Sequence, residues 1–516
     1  MKQGIIGLDV GSTGIRAGLV NRDGALLDQE YRKFSRYEPD TGAVEYDPDE
    51  IWRVCLDALN ALINRNSQEY RMSGLGISVQ RSTFCLVDRD TGNAVTPFYS
   101  WADTRSVKTV ERMNRSVVWR LLRILTGIGA FFTRSVFLKA VSMLRFTPVH
   151  SSCRLRWVYD TRPDLEKRSK NGELLFATVD TWLIYKLTGG KITATDDSCA
   201  ASTSLYNHFN FSWNGIFCAL FRIPKSIFPE VRQTAGGFGE WEKDHGMCIP
   251  IGAVCGDQMA SLFGNRCFER GDVKITLGSG GFVTVMMGEK PRLSRRGLFP
   301  LLAWTVSGKH GYMLEGQVQS VGTIIDWVDK GLGLAASARE LDAIVGQSEG
   351  SGEVTVLPTP HGIGFPHFYD RLKSAVFGLS LRTTRGEVAY AMYEGIALAI
   401  RDILKGISRD TGTVIRTVKV DGGVSRSAAL MAILSDVIGA EVLAAKEPEM
   451  STVGAALLAG IGLGLIEESE IMIKGLDQTA INEKYYTRFQ PRKNDAYRKE
   501  LSLRWRRALR SLVKNH

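Results

Sequence analysis

The 516-residue chain lacks several features that would assign it to a well-marked protein class. Its eight cysteines form no C-x-x-C pair, and the two nearest, Cys248 and Cys255, lie seven residues apart. This spacing argues against a zinc knuckle and against a redox dithiol. It predicts reduced thiols in a cytoplasmic protein.

Long apolar runs and nucleotide-binding signatures are also missing. The longest run of small apolar residues, 454–466, is too short to span a bilayer. The first residues lead directly into a predicted strand, so we expect no signal peptide. No G-x-x-x-x-G-K-[ST] motif occurs, which argues against a Walker-type nucleoside triphosphatase.

What the chain does contain is the composition of a folded protein, with 44% hydrophobic and 23% charged residues. Its length exceeds what one hydrophobic core serves, so two or more domains are expected. Predicted strands and helices alternate along the chain, which indicates an α/β fold. We place the domain boundary near 256–264, where no Pro/Ser-rich linker occurs, as suits two lobes hinged over a cleft.

The formal net charge of +10 is unevenly distributed. Residues 483–516 carry eleven Lys/Arg against three Asp/Glu, and residues 101–150 carry nine against two. Solvated helix faces are the commoner explanation, and no stacking pattern of aromatic residues predicts a nucleic-acid partner. The basic segment 117–146 has an alternative as a membrane-surface helix, although Gly127 and Gly129 are expected to interrupt its helical period.

Two similar glycine turns, one in each half, carry the chemical signal. Gly11-Ser12-Thr13 and 278–281 each lie between two predicted strands, and a third glycine run, 460–464, is interpreted as close helix packing. Glycine turns bring backbone N–H groups close to phosphate oxygens, and Arg16 adds a charged fork. A single such turn is usually structural, but a pair predicts a duplicated phosphate-binding fold.

Two carboxylates accompany these turns. Phosphoryl transfer to an alcohol needs a carboxylate near the acceptor hydroxyl and a metal that bridges phosphate oxygens. Asp257 is the candidate base and Asp9 the candidate metal ligand. Turn or cap roles for both residues remain open on spacing alone.

The chain resembles the FGGY carbohydrate kinases, and the glycerol kinases among them. The resemblance extends over most of the chain and rests on motifs in the family's order and spacing: Leu8-Asp-x-Gly-Ser-Thr, Gly76-Ile-Ser-Val-Gln-Arg81, Ser100-Trp101, 175–184, Thr195-Asp196, Gly256-Asp-Gln258, Gly278-Ser-Gly280, Leu314-Glu-Gly316, Asp421-Gly-Gly423, Val453-Gly-Ala-Ala456 and Leu458-Ala-Gly460. The insert around 131–135 is similar to one in a divergent animal branch of glycerol kinases.

The resemblance implies two actin-like (ribonuclease-H-like) domains, 1–261 and 262–516, around a cleft that holds ATP and Mg²⁺. It implies that Asp257 takes the acceptor's proton with Arg16 as a second catalytic residue, and that Asp9 and Asp257 surround the magnesium. The implied ATP contacts are Ser12, Thr13, Arg16, Ser279, Gly322, Gly423 and Ser427. The implied polyol pocket contains Arg81, Ser82, Trp101, Asp257, Gln258 and Phe282.

The departures from the family pattern concern mainly the acceptor side. Ser82 replaces the acid of a Gln-Arg-Glu triplet, and Val149 replaces a pocket tyrosine. Asp326 replaces a glutamine near the nucleotide, 368–370 replaces Trp-Asp-Pro, and Ser427 replaces an asparagine.

The expected function is ATP-dependent phosphorylation of glycerol to glycerol 3-phosphate by a cytoplasmic enzyme that can form homo-oligomers. A kinase for another polyol or a ketose is the first alternative, because loss of the acid at Ser82 removes a charge-assisted hydrogen bond. A non-catalytic regulatory homologue is the second, but Asp9, Arg16 and Asp257 together count against it.

Overall fold

The computed structural model describes residues 1–39, 41–243, 246–294, 296–369, 372–472 and 478–514. The elements up to residue 264 are, in chain order, β1 (Lys2–Val10), β2 (Gly14–Val20), β3 (Leu26–Lys33), β4 (Glu45–Tyr46), α1 (Pro48–Asn66), β5 (Tyr70–Val79), β6 (Phe84–Asp88), β7 (Phe98–Tyr99), α2 (Val107–Arg115), α3 (Val117–Thr133), α4 (Val136–Met143), α5 (Ser151–Thr161), α6 (Pro163–Lys170), β8 (Leu174–Thr178), α7 (Val179–Leu187), β9 (Ala194–Asp196), α8 (Asp197–Ser202), β10 (Tyr206–Asn207), β11 (Ser212–Trp213), α9 (Gly215–Phe221), β12 (Glu230–Arg232), β13 (Glu240–Lys243), β14 (Met247–Gly256) and α10 (Asp257–Gly264).

The remaining elements follow in chain order, again from the described residues. They are β15 (Val273–Leu277), β16 (Gly281–Gly288), β17 (Phe299–Val306), β18 (Lys309–Val318), α11 (Gly322–Lys330), α12 (Ala338–Gln347), β19 (Thr355–Leu357), β20 (Ala375–Phe377), α13 (Arg385–Thr411), β21 (Thr417–Asp421), α14 (Ala428–Ile438), β22 (Glu441–Ala445), α15 (Met450–Gly462), α16 (Glu468–Ile471), α17 (Gln478–Tyr485), β23 (Tyr486–Phe489) and α18 (Asp495–Lys514).

Two large mixed sheets repeat the same arrangement of strands. The first has the order β13-β14-β5-β1-β2-β3 and the second the order β17-β18-β16-β15-β21-β22-β23. In each, an antiparallel hairpin (β1–β2 or β15–β16) lies beside two further strands that run parallel to its first strand. This repeat confirms the predicted α/β fold of two ribonuclease-H-like domains. The chain passes from one sheet to the other between Gly256 and Val273, an interval that contains the predicted boundary at 261.

Local sequence signals account for the ends of several elements. The side chain of Asp47 accepts a hydrogen bond from the backbone of Asp49, and Pro48 is the first residue of α1. Thr384 and Glu387 form a reciprocal capping box at the start of α13. Polar side chains thus cap the starts of both helices.

Helices α10 and α15 pack closely together, and α15 also lies against strands of the first sheet. A Cβ atom at Gly454 would lie 1.8 Å from the carbonyl oxygen of Ala260, and one at Gly462 would lie 2.0 Å from that of Gly252. The glycines therefore allow backbone contact. The interpretation of the run 460–464 as close packing of the helix holds for Gly462, whereas Gly464, at φ 67°, meets nothing within 4 Å. This contact fixes the start of α10 relative to the second half of the chain.

The insert after α2 forms a helical hairpin of α3 and α4. The expectation that Gly127 and Gly129 interrupt the helical period is wrong, because α3 continues through both. A Cβ atom at Gly129 would lie 3.1 Å from a methyl carbon of Leu138, so the small residue lets α4 approach. Within the described chain no single helix is long and apolar enough to cross a bilayer. Helices α2 and α3, which are joined at a 58° bend, are together long and apolar enough, judged by length and composition alone.

Candidate active site

Asp9 lies at the end of β1, where the first glycine turn begins. Its neighbours across the sheet are Arg16 on β2 and Ser78 on β5, and the Ser78 hydroxyl donates a 2.7 Å hydrogen bond to its carboxylate. Burial raises the pKa of Asp9 to about 7, the Ser78 hydrogen bond opposes that shift, and the negative charge of Asp257 adds to it. The two carboxylates are therefore close enough to interact.

The first glycine turn is tight and presents its tip to solvent. The Gly11 N–H donates to the Gly14 carbonyl at 3.0 Å, while Ser12 is half-buried and Thr13 exposed. The amide nitrogen of Gln80 donates to the Gly11 carbonyl at 3.1 Å, which ties the turn to the end of β5. The base of the turn is thus held by Gln80, while its tip is accessible to a ligand.

Arg16 is held in place by a partner from the second half of the chain. Its guanidinium forms an ion pair with Glu449, the residue that precedes α15, and lies 5.0 Å from the centre of the Tyr31 ring. Burial raises the pKa of Glu449, and the positive charge of Arg16 opposes that shift. Arg16, the predicted phosphate-binding arginine, therefore links the first half of the chain to the second.

Asp257 is the first residue of α10 and directly follows β14. One of its carboxylate oxygens accepts a 2.7 Å hydrogen bond from the backbone of Gln258 and a 3.3 Å bond from Nε of Arg81. About a quarter of its side chain (26%) is exposed. The carboxylate is thus oriented by the helix start and by Arg81, and it remains partly exposed to solvent.

Arg81 joins Asp257 to a second acid, Glu315 of β18. Its Nη2 donates to both carboxylate oxygens of Glu315, at 2.8 and 2.9 Å, and the guanidinium lies 5.9 Å from the centre of the Phe282 ring. Among the described residues, Nη1 has no hydrogen-bond partner of its own. The guanidinium is therefore fixed by two carboxylates while one nitrogen stays available to a ligand.

Gln258 lies behind this group and contacts a buried lysine. Its Oε1 accepts a 2.8 Å hydrogen bond from Lys274 of β15, and Lys274 also donates to Thr276 at 2.7 Å. Burial lowers the pKa of Lys274. The predicted polyol ligand Gln258 is thus tied to a cation of the second sheet.

The second glycine turn is joined to the start of α11. The Gly322 N–H donates to the Gly278 carbonyl at 2.9 Å, and the Ser279 carbonyl accepts bonds from Val321 and from the Thr323 hydroxyl. A Cβ atom at Gly322 would lie 2.7 Å from that same Gly278 oxygen, so only glycine fits. Ser279 and Gly322 are therefore neighbours, as a shared nucleotide site requires.

Gly423 lies in an open position of the second half, where a Cβ atom would meet nothing within 4 Å. The neighbouring Gly422 adopts φ 85°, and a Cβ there would lie 2.5 Å from the Leu277 oxygen. The segment thus lies against the end of β15, beside the second glycine turn.

Three expected residues have structural partners of their own. Ser82 is buried at φ 63°, and its hydroxyl donates to the Ser202 carbonyl at 2.6 Å. Ser427 caps α14 and donates to Asp342. The Trp101 backbone donates to Thr83 at 3.1 Å, which brings its half-buried ring beside the segment that carries Arg81.

One of the other departures, Val149, lies near Ser82, because Nη2 of Arg154 donates to the carbonyl oxygens of both residues. Val149, Asp326, Phe368 and Tyr369 are all exposed, and Asp370 lies outside the described residues.

Three residues of the site escaped the sequence interpretation: Glu315, Glu449 and Lys274. Glu315 belongs to the quoted motif Leu314-Glu-Gly316 but received no role. An acid or a lysine inside a strand of otherwise apolar residues, as in β18 and β15, is the signal that could have indicated a buried charge. Glu449 carried no such signal, because its role depends on where α15 meets β2.

The carboxylates Asp9 and Asp257 fit a divalent cation. The negative charge of Asp257 adds to the raised pKa of Asp9, so a cation held between the two carboxylates would offset their repulsion, and carboxylate oxygens are the ligands that magnesium prefers. The arrangement thus offers a metal site, two glycine turns for phosphates and a carboxylate beside a fixed arginine, which are the parts that phosphoryl transfer to an alcohol requires.

Comparison with known proteins agrees with this geometry. The model of the N-terminal domain of the FGGY family of carbohydrate kinases matches residues 4–264, and that of its C-terminal domain matches 273–463. Glycerol kinase 5 of Danio rerio is 34% identical over 472 residues, 91% of this chain and 89% of that protein. A glycerol kinase of Listeria monocytogenes is 31% identical over 99% of both chains.

Among solved structures, Plasmodium falciparum glycerol kinase with ADP superposes with a TM-score of 0.86, covering 99% of this chain and 98% of that one. At 24% identity this likeness concerns the fold.

Proposed function

The chain belongs to the FGGY family of carbohydrate kinases, and we propose that it transfers the terminal phosphoryl group of ATP to a primary hydroxyl of glycerol. The products are glycerol 3-phosphate and ADP. The observation that carries this function is the whole-chain similarity to proteins named glycerol kinase, at 31–34% identity over 91–99% of the chain. Asp257 and Arg81 supply the base and the charged hydrogen-bond donor that phosphorylation of glycerol requires.

In the proposed mechanism Asp257 acts as the general base. The acceptor hydroxyl gives its proton to the Asp257 carboxylate as its oxygen forms a bond to the terminal phosphorus. The bond from that phosphorus to the bridging oxygen breaks, and ADP leaves with the electron pair. The 3.3 Å contact with Arg81 and the bond from the Gln258 backbone orient the carboxylate for this step.

Arg81 positions the acceptor. Glu315 and Asp257 accept hydrogen bonds from its Nη2 and Nε and so hold the guanidinium in one orientation. Its remaining nitrogen, Nη1, can then donate to a second hydroxyl of glycerol. The ring of Phe282, which lies beneath the guanidinium, and that of Trp101 supply apolar surface for the carbon chain. We infer that Glu315 supplies the negative charge that holds Arg81 in place beside the acceptor.

The nucleotide is proposed to lie between the two glycine turns. Backbone N–H groups at Ser12 and Thr13 and at Ser279 face phosphate oxygens, and Gly423 gives open space for the nucleoside. Arg16 is proposed to exchange Glu449 for a phosphate when the nucleotide binds. Magnesium, held by Asp9 and Asp257, would neutralise phosphate charge.

The remaining expectations from the sequence stay proposals. All eight cysteines are free thiols and seven are buried, which supports a reducing compartment such as the cytoplasm. The polyol is proposed as the small-molecule partner, and no nucleic-acid partner is proposed. Formation of a homo-oligomer is proposed as well and can be measured in solution.

An ADP-release assay with the variant Asp257→Asn tests the function. We expect phosphorylation of glycerol to fall by at least about 10²-fold, the effect of losing a general base, while ATP still binds. The control Asp90→Asn, an exposed turn residue, should match the parent. Near-normal turnover of Asp257→Asn would remove Asp257 from the mechanism.

The acceptor is tested separately by comparing glycerol, dihydroxyacetone, erythritol and pentuloses in the same assay. The highest kcat/KM is expected for glycerol. A pentulose that is phosphorylated faster would refute glycerol as the acceptor and leave the kinase activity intact. No ADP release with any acceptor, from a folded protein that binds ATP, would instead favour a regulatory homologue.

A further inference from the structure

Helix α3 exposes a continuous apolar surface on one side. Its members are each 52–81% exposed: Val117, Val118, Leu121, Ile124, Leu125, Ile128, Phe131 and Phe132. With 3.6 residues per turn they lie together within an arc of roughly 140°, and no polar residue interrupts them. We call this surface the apolar stripe.

The opposite side of α3 explains why the stripe faces outward. Trp119 is fully buried, and its ring lies 4.6 Å from that of Phe146 and 6.0 Å from that of Phe217. Thr126 is buried on the same side. These contacts anchor α3 to the body of the protein and fix its rotation, so the stripe faces solvent.

The surroundings of the stripe are strongly basic. No Asp or Glu occurs from Arg112 to Tyr159. Five exposed cations of this region have no ion-pair partner among the described residues: Arg115, Arg120, Arg134, Lys139 and Arg145. An exposed apolar surface with uncompensated positive charge around it is complementary to a surface that is apolar within and negative at its edge.

That charge argues against a second copy of this chain as the partner. In a symmetric dimer through α3, the same cations of both copies would meet, and α3 brings no acid to neutralise them. Bilayer crossing is disfavoured as well, since α2 contributes Lys108, Glu111, Arg112 and Arg115 and meets α3 at a 58° bend.

We propose that α3 docks this protein on a negatively charged phospholipid surface. The apolar stripe enters the boundary between headgroups and acyl chains, with Phe131 and Phe132 as its most exposed members. Arg120 and Arg134 contact lipid phosphates and carboxylates at the edge of the stripe. This site shares no residue with the active site, so membrane docking is separable from phosphoryl transfer.

Flotation of the purified full-length protein with vesicles tests the proposal. We compare vesicles of phosphatidylcholine alone with vesicles that also contain phosphatidylserine, at low and high salt. The parent is expected to float with the second kind, and less so at high salt, because headgroup attraction is screened.

Two double variants separate the contributions of the stripe and of the charges. Phe131→Ser with Phe132→Ser, and Arg120→Gln with Arg134→Gln, should each weaken vesicle binding by at least about tenfold. The matched control is Leu381→Ser with Val414→Ser, which removes two equally exposed apolar side chains elsewhere. All variants should keep the parent's circular dichroism and its solution rate of ADP release.

Several results would overturn the proposal. These are a parent that stays soluble beside phosphatidylserine vesicles, equal binding to both kinds of vesicle, and stripe variants that float like the parent. A parent dimer that the phenylalanine variant converts to a monomer without changing flotation would assign the stripe to a second copy. Resistance of the bound protein to alkaline carbonate would indicate insertion across the bilayer instead.

Discussion

Replacement of Glu315 by glutamine isolates the charge that fixes Arg81. Glu315 is 5% exposed and accepts bonds of 2.8 and 2.9 Å from one nitrogen of Arg81. Glutamine keeps the volume and one acceptor oxygen but removes the negative charge. Arg81 then keeps only the 3.3 Å contact with Asp257 as an ionic partner.

The expected magnitude follows from the bonds that are lost. A hydrogen bond between charged groups contributes about 1.5–3 kcal/mol, and each 1.4 kcal/mol corresponds to a factor of ten. We therefore expect kcat/KM for glycerol to fall by roughly 10- to 100-fold. Because the released arginine draws closer to Asp257, part of the loss should appear in kcat as well as in KM for glycerol.

The measurement is the rate of ADP release, with glycerol varied at saturating ATP and then ATP varied at saturating glycerol. KM for ATP should change little, since Arg81 is proposed to contact the acceptor and not the nucleotide. Glu500→Gln, an exposed residue of α18, is the control for loss of one carboxylate. Unchanged kcat/KM for glycerol, or a rise confined to the KM for ATP, would refute the assigned role of the Arg81–Glu315 pair.

Three further outcomes are expected. Gly454→Ala should lower thermal stability and activity together, because its Cβ would lie 1.8 Å from the Ala260 oxygen, whereas Gly346→Ala, which meets nothing within 4 Å, should lower neither. Burial lowers the pKa of His150 from 6.5 to about 4, so between these values the unfolded chain binds a proton that the folded chain does not. Stability should then fall as pH decreases through this window, and His150→Gln should flatten a plot of Tm against pH. Small-angle scattering should show a smaller radius of gyration with nucleotide and glycerol together than with either alone, and a constant radius under proven binding would contradict closure of the cleft.

The repeated sheet could be predicted from the sequence because its signals are local. The strand–turn–strand runs at 5–20 and 273–287 set both hairpins, since glycine turns and alternating apolar residues need no distant partner to be recognised. Local contacts also mark the starts of α1 and α14, where the side chains of Asp47 and Ser427 accept hydrogen bonds from the helix backbone. Asp9 and Asp257 emerged as candidates because each is an acidic residue beside a glycine turn.

Only the tertiary structure decided which charges meet across the two halves. Arg81 lies 234 residues from Glu315, and Arg16 lies 433 residues from Glu449. No periodicity encodes such pairs, because they depend on how α10 and α15 pack and on where β18 ends. Tertiary structure also decided the form of α3. The low helix propensity of its glycines predicted an interruption. Packing of Trp119 and the approach of α4 made the helix continuous and turned its apolar stripe to solvent, since tertiary contacts outweigh the small intrinsic cost of glycine in a helix.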